Sequence, residues 1–316
     1  MEEICRGLRF PEGPIAMSDG SVILVEIERR TLSRVSPDGK ISVVAECGGG
    51  PNGAAVGPDG RVYVCNNGGF VWTQQGPFLR PGDTLAPDYV GGSIQAVEIE
   101  TGKVETIYTE CNGEPLKGPN DIVFDTSGGF YFTDLGKRRG RSLDRGSVFY
   151  ALADGSSIEE IVYPIETPNG IGLSPDEATL YVAETFGARL WAFDIEHPGK
   201  LGPPTHPFYR GRLLYKFTGY ERLDSLAVDS EGNVVVATLG TGCVTAISPQ
   251  GVVRAVVPVP EFDLMVTNVC FGGPDLRTAY ITSSGLGRLY RMQWHCPGLP
   301  LNFLQREPLP SPPQDR

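Results

Sequence analysis

Glu12, Asn52, Asn120, Asn169, Asp224 and Asn268 each open one recurring phrase: a polar residue, an apolar strand, a tight turn, then a second apolar strand. The copies read PEGPIAMSDGSVILVEI, PNGAAVGPDGRVYVCNN, PNDIVFDTSGGFYFTDL, PNGIGLSPDEATLYVAET, LDSLAVDSEGNVVVATLG and TNVCFGGPDLRTAYITSS. Carboxylates and carboxamides are hard oxygen donors. Brought together, Glu12, Asn120, Asn169 and Asp224 would offer two carboxylates and two amide carbonyls, a set that suits Ca²⁺ and, less readily, Mg²⁺ or Mn²⁺. Zinc favours His and Cys, and the three histidines (His197, His206 and His295) lie outside the repeated position. The bland alternative is a polar channel whose groups satisfy one another. Two carboxylates facing amides across one channel would be costly without a cation to neutralise them.

The repeat predicts what must position these residues. The copies begin 40, 68, 49, 55 and 44 residues apart. A period of about 40–50 residues with four strands per unit is that of a β-propeller. Stretches such as Val62-Tyr63-Val64 and Val234-Val235-Val236 are β-branched or aromatic and bounded by turn formers, as strands are. SDG, PDG, TSGG, PDE, SEG and GPD fall where a tight turn is easiest. The fold class expected is all-β: a six-bladed β-propeller with four-stranded antiparallel blades, about 53 residues each. In that topology the first strand of each blade lines the channel, so all six polar residues meet at one mouth. The loops after the second strands return there too, which puts Glu26, Asn66-Asn67, Thr133-Asp134, Glu184-Thr185, Thr238-Leu239 and Ser283-Ser284 on the rim. Residues 66–92 form a long rim loop carrying Phe70, Trp72, Phe78 and Tyr89, expected as a lid or pocket wall. The charged loop 134–146 is expected to be mobile. One domain is expected over 1–300, with an N-terminal strand near Ile4 to Leu8 completing the last blade, and a Pro-rich, disordered tail over 301–316.

The bulk numbers exclude several classes. A net charge of −11 argues against nucleic-acid and anionic-membrane partners. The one basic cluster, KRRGR at 137–141, reads as a solvated loop. No signal peptide or transmembrane run is evident. Seven scattered cysteines without a CxxC pair read as reduced, mostly buried thiols, hence a cytoplasmic protein. GxSxG is absent, and no Ser-His-Asp arrangement is evident. The oligomeric state expected is a monomer or small homo-oligomer.

FPEGP, GPNDIVFD, TPNGIGLSPDEATLYVAET, LDSLAVDSEGNV and TNVCFGGPDLRTAYITSS resemble, in order, the motifs of the family of senescence marker protein (regucalcin), gluconolactonase and luciferin-regenerating enzyme. The likeness runs from about residue 8 to 293. It implies a six-bladed propeller with one divalent cation in its channel, Ca²⁺ first and Mg²⁺, Mn²⁺ or Zn²⁺ as alternatives, and lactone hydrolysis as the commonest activity. By motif, it implies Glu12, Asn169 and Asp224 as metal ligands. Asn120 would hold water or substrate or join the ligand set, and Asp224 would be the general base. Two departures stand out. The sugar-lactone members carry, two residues before the third-motif asparagine, an arginine that binds substrate hydroxyls; here that position is Gly118, preceded by Lys117. The glycine after the fifth-motif aspartate is Ser225.

The function expected is a divalent-metal-dependent lactonase acting on a small lactone, sugar-derived or, as the aromatic 66–92 loop hints, less polar. Asp224 and Asn120 are the catalytic candidates. Asn120, Asn52, Lys117, Trp72 and Glu26 are the substrate-contact candidates. Two alternatives remain: an arylesterase or phosphotriesterase using the same metal, and a calcium-binding propeller without turnover.

Overall fold

The computed structural model describes residues 1–304. It is all strand, and six four-stranded antiparallel meanders are arranged as the blades of a propeller. The first strands are Pro11–Ala16, Pro51–Val56, Pro119–Phe124, Pro168–Leu173, Arg222–Val228 and Val266–Gly272, and each packs beside the first strand of the next blade. Blade 6 takes only three strands from its own stretch. The N-terminal strand Glu2–Arg6 pairs with Arg288–Gln293 as its fourth. The two ends of the domain thus hold one sheet, and the edge that blade 6 would otherwise expose is paired. Among the described residues, no helix is long and apolar enough to cross a membrane.

Burial follows each strand's rank in its blade. Second strands such as Val22–Glu26 and Val62–Asn66 are buried on both faces and read as nearly unbroken apolar runs, because neighbouring blades cover both sides. An outer strand such as Val253–Pro258 keeps exposed positions along its length. Between blades 2 and 3, Tyr63, Phe124, Phe130, Phe132 and Phe149 form one aromatic layer, with Phe132 and Phe149 stacked at 4.9 Å. Each fully buried ring of this kind contributes about 1.5–3 kcal/mol of transfer free energy.

The feature that positions the site is a bulge. In every blade the register between first and second strands slips at the polar residue. Pro119 pairs with Asp134 but Ile122 pairs with Phe132, and the same slip separates Pro51 from Ala54, Pro168 from Ile171 and Leu223 from Leu226. One extra residue is thus accommodated at the channel end of each first strand. A bulge re-aims side chains that plain alternation would send into the sheet. The bulges also bring adjacent first strands very close. A Cβ at Gly53 would lie 2.5 Å from Asn120 O and 2.6 Å from the Asp121 Cα, both backbone atoms that cannot move aside.

The last described residues cross the far end of the channel. Gly298 N donates to Leu276 O, Leu299 N to Val228 O, and the Asn302 amide to Phe124 O, while Phe303 packs on Phe124. This strap runs from blade 6 over blade 5 to blade 3. It floors a chamber of about 290 Å³ lined by Leu173, Leu226, Val228 and Phe271 from the blades and by Leu299 and Leu301 from the strap. The segment expected to be a disordered tail from 301 is therefore packed over 301–304. The Pro-rich stretch from about 308 lies outside the described residues.

Replacing Gly53 by Ala is expected to cost about 1–3 kcal/mol through this backbone clash. Urea denaturation measures it, and an unchanged midpoint would contradict the close approach of blades 2 and 3.

Candidate active site

The bulges bring five of the six repeated polar residues, Glu12, Asn52, Asn120, Asn169 and Asp224, to the channel end of their strands, all buried. Asn268 joins them: its Nδ2 donates to Glu12 Oε2 at 2.7 Å, and Gly13 N donates to the same oxygen at 2.7 Å. Asn169 Nδ2 donates to Thr185 Oγ1, and the Asn169 amide hydrogen-bonds the Asp224 carboxylate. A third carboxylate completes the group. Asp121, the bulge residue after Asn120, accepts from Ile122 N at 3.0 Å and faces Ile171 N and Ser225. Sequence reasoning missed Asp121 because it attended only to the opening position. The signal was that GPNDIVFD has an acid where FPEGP, PNGAAV and TPNGIG have glycine at the next residue.

Glu12, Asp121 and Asp224 are only 3%, 7% and 9% exposed. Burial pushes Glu12 up to about 7, against the pull of its bonds from Asn268 and Gly13. Burial and then the Glu12 charge push Asp121 to about 8. The same causes, in the same order, hold Asp224 well above the ordinary carboxylate range. Among the described residues no Lys, Arg or His forms an ion pair with any of the three. Asn120 Oδ1 is buried with no hydrogen-bond partner. Crowded carboxylates without a counter-charge, beside an unused amide oxygen, are a donor set that fits a hard divalent cation.

The structure takes two candidates away from the channel. Glu26 is fully buried inside blade 1, where it accepts from Arg9 N at 2.7 Å and Ser33 Oγ at 2.7 Å and pairs with Arg29. It belongs to a second, structural repeat. The polar residue ending the second strand caps backbone N–H groups that lead into the first strand: Asn66 takes Gly50 N, Asp134 takes Lys117 N and Gly118 N, and Glu184 takes Glu166 N. Lys117 lines a groove with Asn112, Asp144, Glu160 and Tyr163 on the outer side of blade 3.

The room beside Gly118 belongs to another residue. A Cβ there would meet Gly136 O at 2.7 Å and the Lys137 Cε at 3.6 Å, so no larger side chain fits. Lys137, expected on a solvated loop, is 3% exposed. Its Nζ donates to Asn67 Oδ1 and Gly69 O and sits 4.1 Å from the centre of the Phe70 ring. Burial pulls the ammonium down to about 7. Lys137 thereby ties blade 3 to the blade 2 rim. Two of the cluster's arginines are engaged too: Arg138 pairs with Asp83 and Arg139 with Asp144, while Arg141 is exposed. The loop expected to be mobile forms a short hairpin, Arg138–Arg139 with Ser142–Leu143, docked on the blade 2 hairpin.

That blade 2 hairpin is the long rim loop, with strands Phe70–Gln75 and Phe78–Leu85. Leu79 N donates to Gly285 O of blade 6, Trp72 packs on Phe10 at 5.0 Å, and Asp83 O accepts from Gly140 N of blade 3. The hairpin therefore roofs the mouth on the side of blades 6, 1, 2 and 3. Trp72 is half-buried within it. All seven cysteines are buried and unpaired. Burial raises Cys65 and Cys243, the two nearest the channel by sequence, above the ordinary thiol range, the opposite of nucleophile activation.

The profile of the family described as "SMP-30/Gluconolactonase/LRE-like region" matches residues 10–285. The chain belongs to this family. Among its curated relatives, "lactonase drp35" of Staphylococcus saprophyticus is 32% identical over 249 residues, which is 78% of this chain and 68% of that one. A gluconolactonase structure from Xanthomonas campestris superposes with a TM-score of 0.71 at 22% identity, covering 92% of this chain and 88% of that one. A regucalcin structure from Agrobacterium tumefaciens, described as a calcium-binding protein, gives 0.70 at 18% identity, covering 95% and 97%. The solved structures establish the shared propeller. The expected enzyme class, a hydrolase of cyclic esters, is the one that the named lactonases and gluconolactonases represent.

The crowded carboxylates predict a pH dependence. Raised folded-state values mean that the native protein holds protons the unfolded chain releases near the ordinary 4.5 and 3.8. The stability this contributes is fully present below those values and is lost as pH rises through about 7–8. Chelator-treated protein should show a melting temperature that falls over this window in scanning calorimetry. A flat or rising profile between about 4.5 and 7, below the range in which buried Lys137 adds an opposing rise, would show that the three acids are not crowded.

Proposed function

We propose that this protein is a divalent-cation-dependent lactonase that opens a small cyclic ester to its hydroxy acid. The observation that carries the reading is the meeting of Glu12, Asp121 and Asp224 in one buried place, with no ion pair to a cationic side chain and with Asn120 Oδ1 unpartnered among the described residues. Family membership supplies the reaction class. Glu12, Asn169 and Asp224 would hold the ion, with Asn120 beside them. Ca²⁺ suits the all-oxygen set best. When bound, such a cation supplies polarisation of the ester carbonyl and stabilisation of its developing charge.

The chain's own residues supply the rest. Asp224 accepts the proton of the attacking water, a role worth about 10²–10⁴-fold for a positioned base. The Asn120 amide orients that water or the ester oxygen. The mouth is narrowed by the blade 2 hairpin, whose Trp72 and Phe70 offer apolar surface to a substrate, while Asn52 offers a polar contact on the same side. No arginine fits beside Gly118, and Lys137 Nζ is already engaged, so recognition of many sugar hydroxyls is weakly provided for. The reading therefore favours a less polar lactone over an aldonolactone. A cytoplasmic location is part of it, supported by seven unpaired, buried thiols.

The test is a hydrolysis panel of a sugar lactone, an aromatic lactone and a phosphotriester. It is run on chelated protein and again after adding Ca²⁺, Mg²⁺, Mn²⁺ or Zn²⁺. Lactone turnover should vanish on chelation and return with the ion. Asp224→Asn should lower kcat/KM by at least about 10²-fold, while Glu12→Gln should weaken ion binding in calorimetry. Activity indifferent to chelator would remove the metal from the reading. Phosphotriester turnover alone would replace lactone as the substrate.

A further inference from the structure

The far end of the propeller carries a second group of ligating side chains that the lactonase reading does not use. Asp229 follows Val228, the last residue of the blade 5 first strand that Asp224 helps to open. At about 3.3 Å per residue the five steps between the two acids span about 16 Å, which places them at opposite ends of the channel. Beside Asp229 lie His295 and Cys296, and the ligand atoms of the three residues are all within 4.8 Å of one another. Asp229 is fully buried, Cys296 is 4% exposed and His295 faces solvent.

We propose that Asp229, His295 and Cys296 form a second metal site, which takes a borderline, thiophilic divalent ion such as Zn²⁺. The donor chemistry separates it from the channel: one oxygen, one imidazole nitrogen and one sulfur select zinc-like ions, whereas an all-oxygen set selects calcium-like ions. Three protein ligands leave a fourth tetrahedral position for water.

A comparison within the molecule bears on the group. Asp125 is the same turn residue in blade 3. Its Oδ1 accepts from Ser127 N and Gly129 N, and its Oδ2 from the Tyr150 hydroxyl. Asp229 uses Oδ1 for the same turn, taking Glu231 N and Asn233 N. Its Oδ2 takes the Asn233 amide, and the tyrosine's place is filled by a thiol and an imidazole, with the Cys296 thiol hydrogen-bonded to the Asp229 carboxylate. The His295 ring stands beside Trp294, 5.1 Å between centres, and no hydrogen bond to that ring is made among the described residues. Burial, and then the adjacent Asp229 carboxylate, push the Cys296 thiol up to about 12. A thiol held protonated beside a carboxylate is relieved by a cation that binds both. On binding, the S–H proton leaves to solvent and the thiolate sulfur takes its place on the ion, so affinity rises with pH.

The location suggests the consequence. Pro297 O accepts from Ser230 N, and Gly298 bridges to Asp229, so the strap that floors the 290 Å³ chamber begins directly after this group. An ion here staples the strap to the blade 5 turn.

The test is titration of the full chain, reduced and freed of metal, with Cd²⁺, followed by the ultraviolet band of thiolate-to-cadmium charge transfer. A saturable band, displaced by Zn²⁺ and not by Ca²⁺, is expected. It should be lost in Cys296→Ser and kept in Glu12→Gln. Because six other cysteines are present, a band surviving in folded Cys296→Ser would overturn the site, as would no band in the unaltered protein. Should Cys296→Ser not fold, His295→Ala changes an exposed side chain and decides the matter: loss of Cd²⁺ affinity supports the site, and unchanged affinity overturns it.

Discussion

Three acids, Glu12, Asp121 and Asp224, are withdrawn from water at one place, and among the described residues no basic side chain pairs with them. Like charges at close range in a poorly solvated channel cannot all ionise without help, so two outcomes are open to the protein. Either it holds protons there at neutral pH, or it holds a cation. The six bulges are what create the dilemma, since each turns a polar side chain inward just where neighbouring first strands are packed too tightly for solvent to enter freely. Sheet register, blade packing and site electrostatics are thus one arrangement. A change that relaxed the bulges would relieve the repulsion and lose the site with it.

Around this centre the remaining polar residues act mainly as fasteners. Ser284 and Thr267 hydroxyls reach the Pro11 carbonyl and join blade 6 to blade 1, while the Thr133 hydroxyl reaches Asn169 O and joins blade 3 to blade 4. Glu26, Asn66, Asp134 and Glu184 hold the entry to each first strand. A propeller has no single core, so such interblade bonds set the angular spacing of the six first strands and hence how well their side chains converge. The rim hairpins add a third level. Lys137 is unusual there, a nearly buried ammonium between two carbonyl-type oxygens and an aromatic face, and it links the roof of the mouth to the blade that presents Asn120 and Asp121.

Fold and chemistry were legible in the sequence to different depths. The repeat, its turns and the apolar second strands were readable because burial on both faces leaves unbroken hydrophobic runs. The convergence of the repeated polar residues followed from topology alone. The role of Glu26 was not readable: an acid at the end of a second strand looks alike whether it faces a channel or caps a loop. Lys137 was misread because a basic run is normally solvated, and only the arrival of the blade 2 hairpin covers it. Asp121 was passed over because strict alternation sends the residue after a channel-facing one into the sheet, and the bulge overrides that alternation.

By itself the sequence determined the number of blades, the closure of the ring by the N-terminal strand, the family, and the oxygen-rich character of the channel. These are set by local pattern and by composition at a repeated place, and need no knowledge of distance. Tertiary structure alone decided which acids share one buried volume, which are tied up by backbone N–H groups, and that Asp229, His295 and Cys296 meet at the far end. Those facts depend on ångström-scale approaches between residues tens to hundreds of positions apart, and no periodicity in the chain records them.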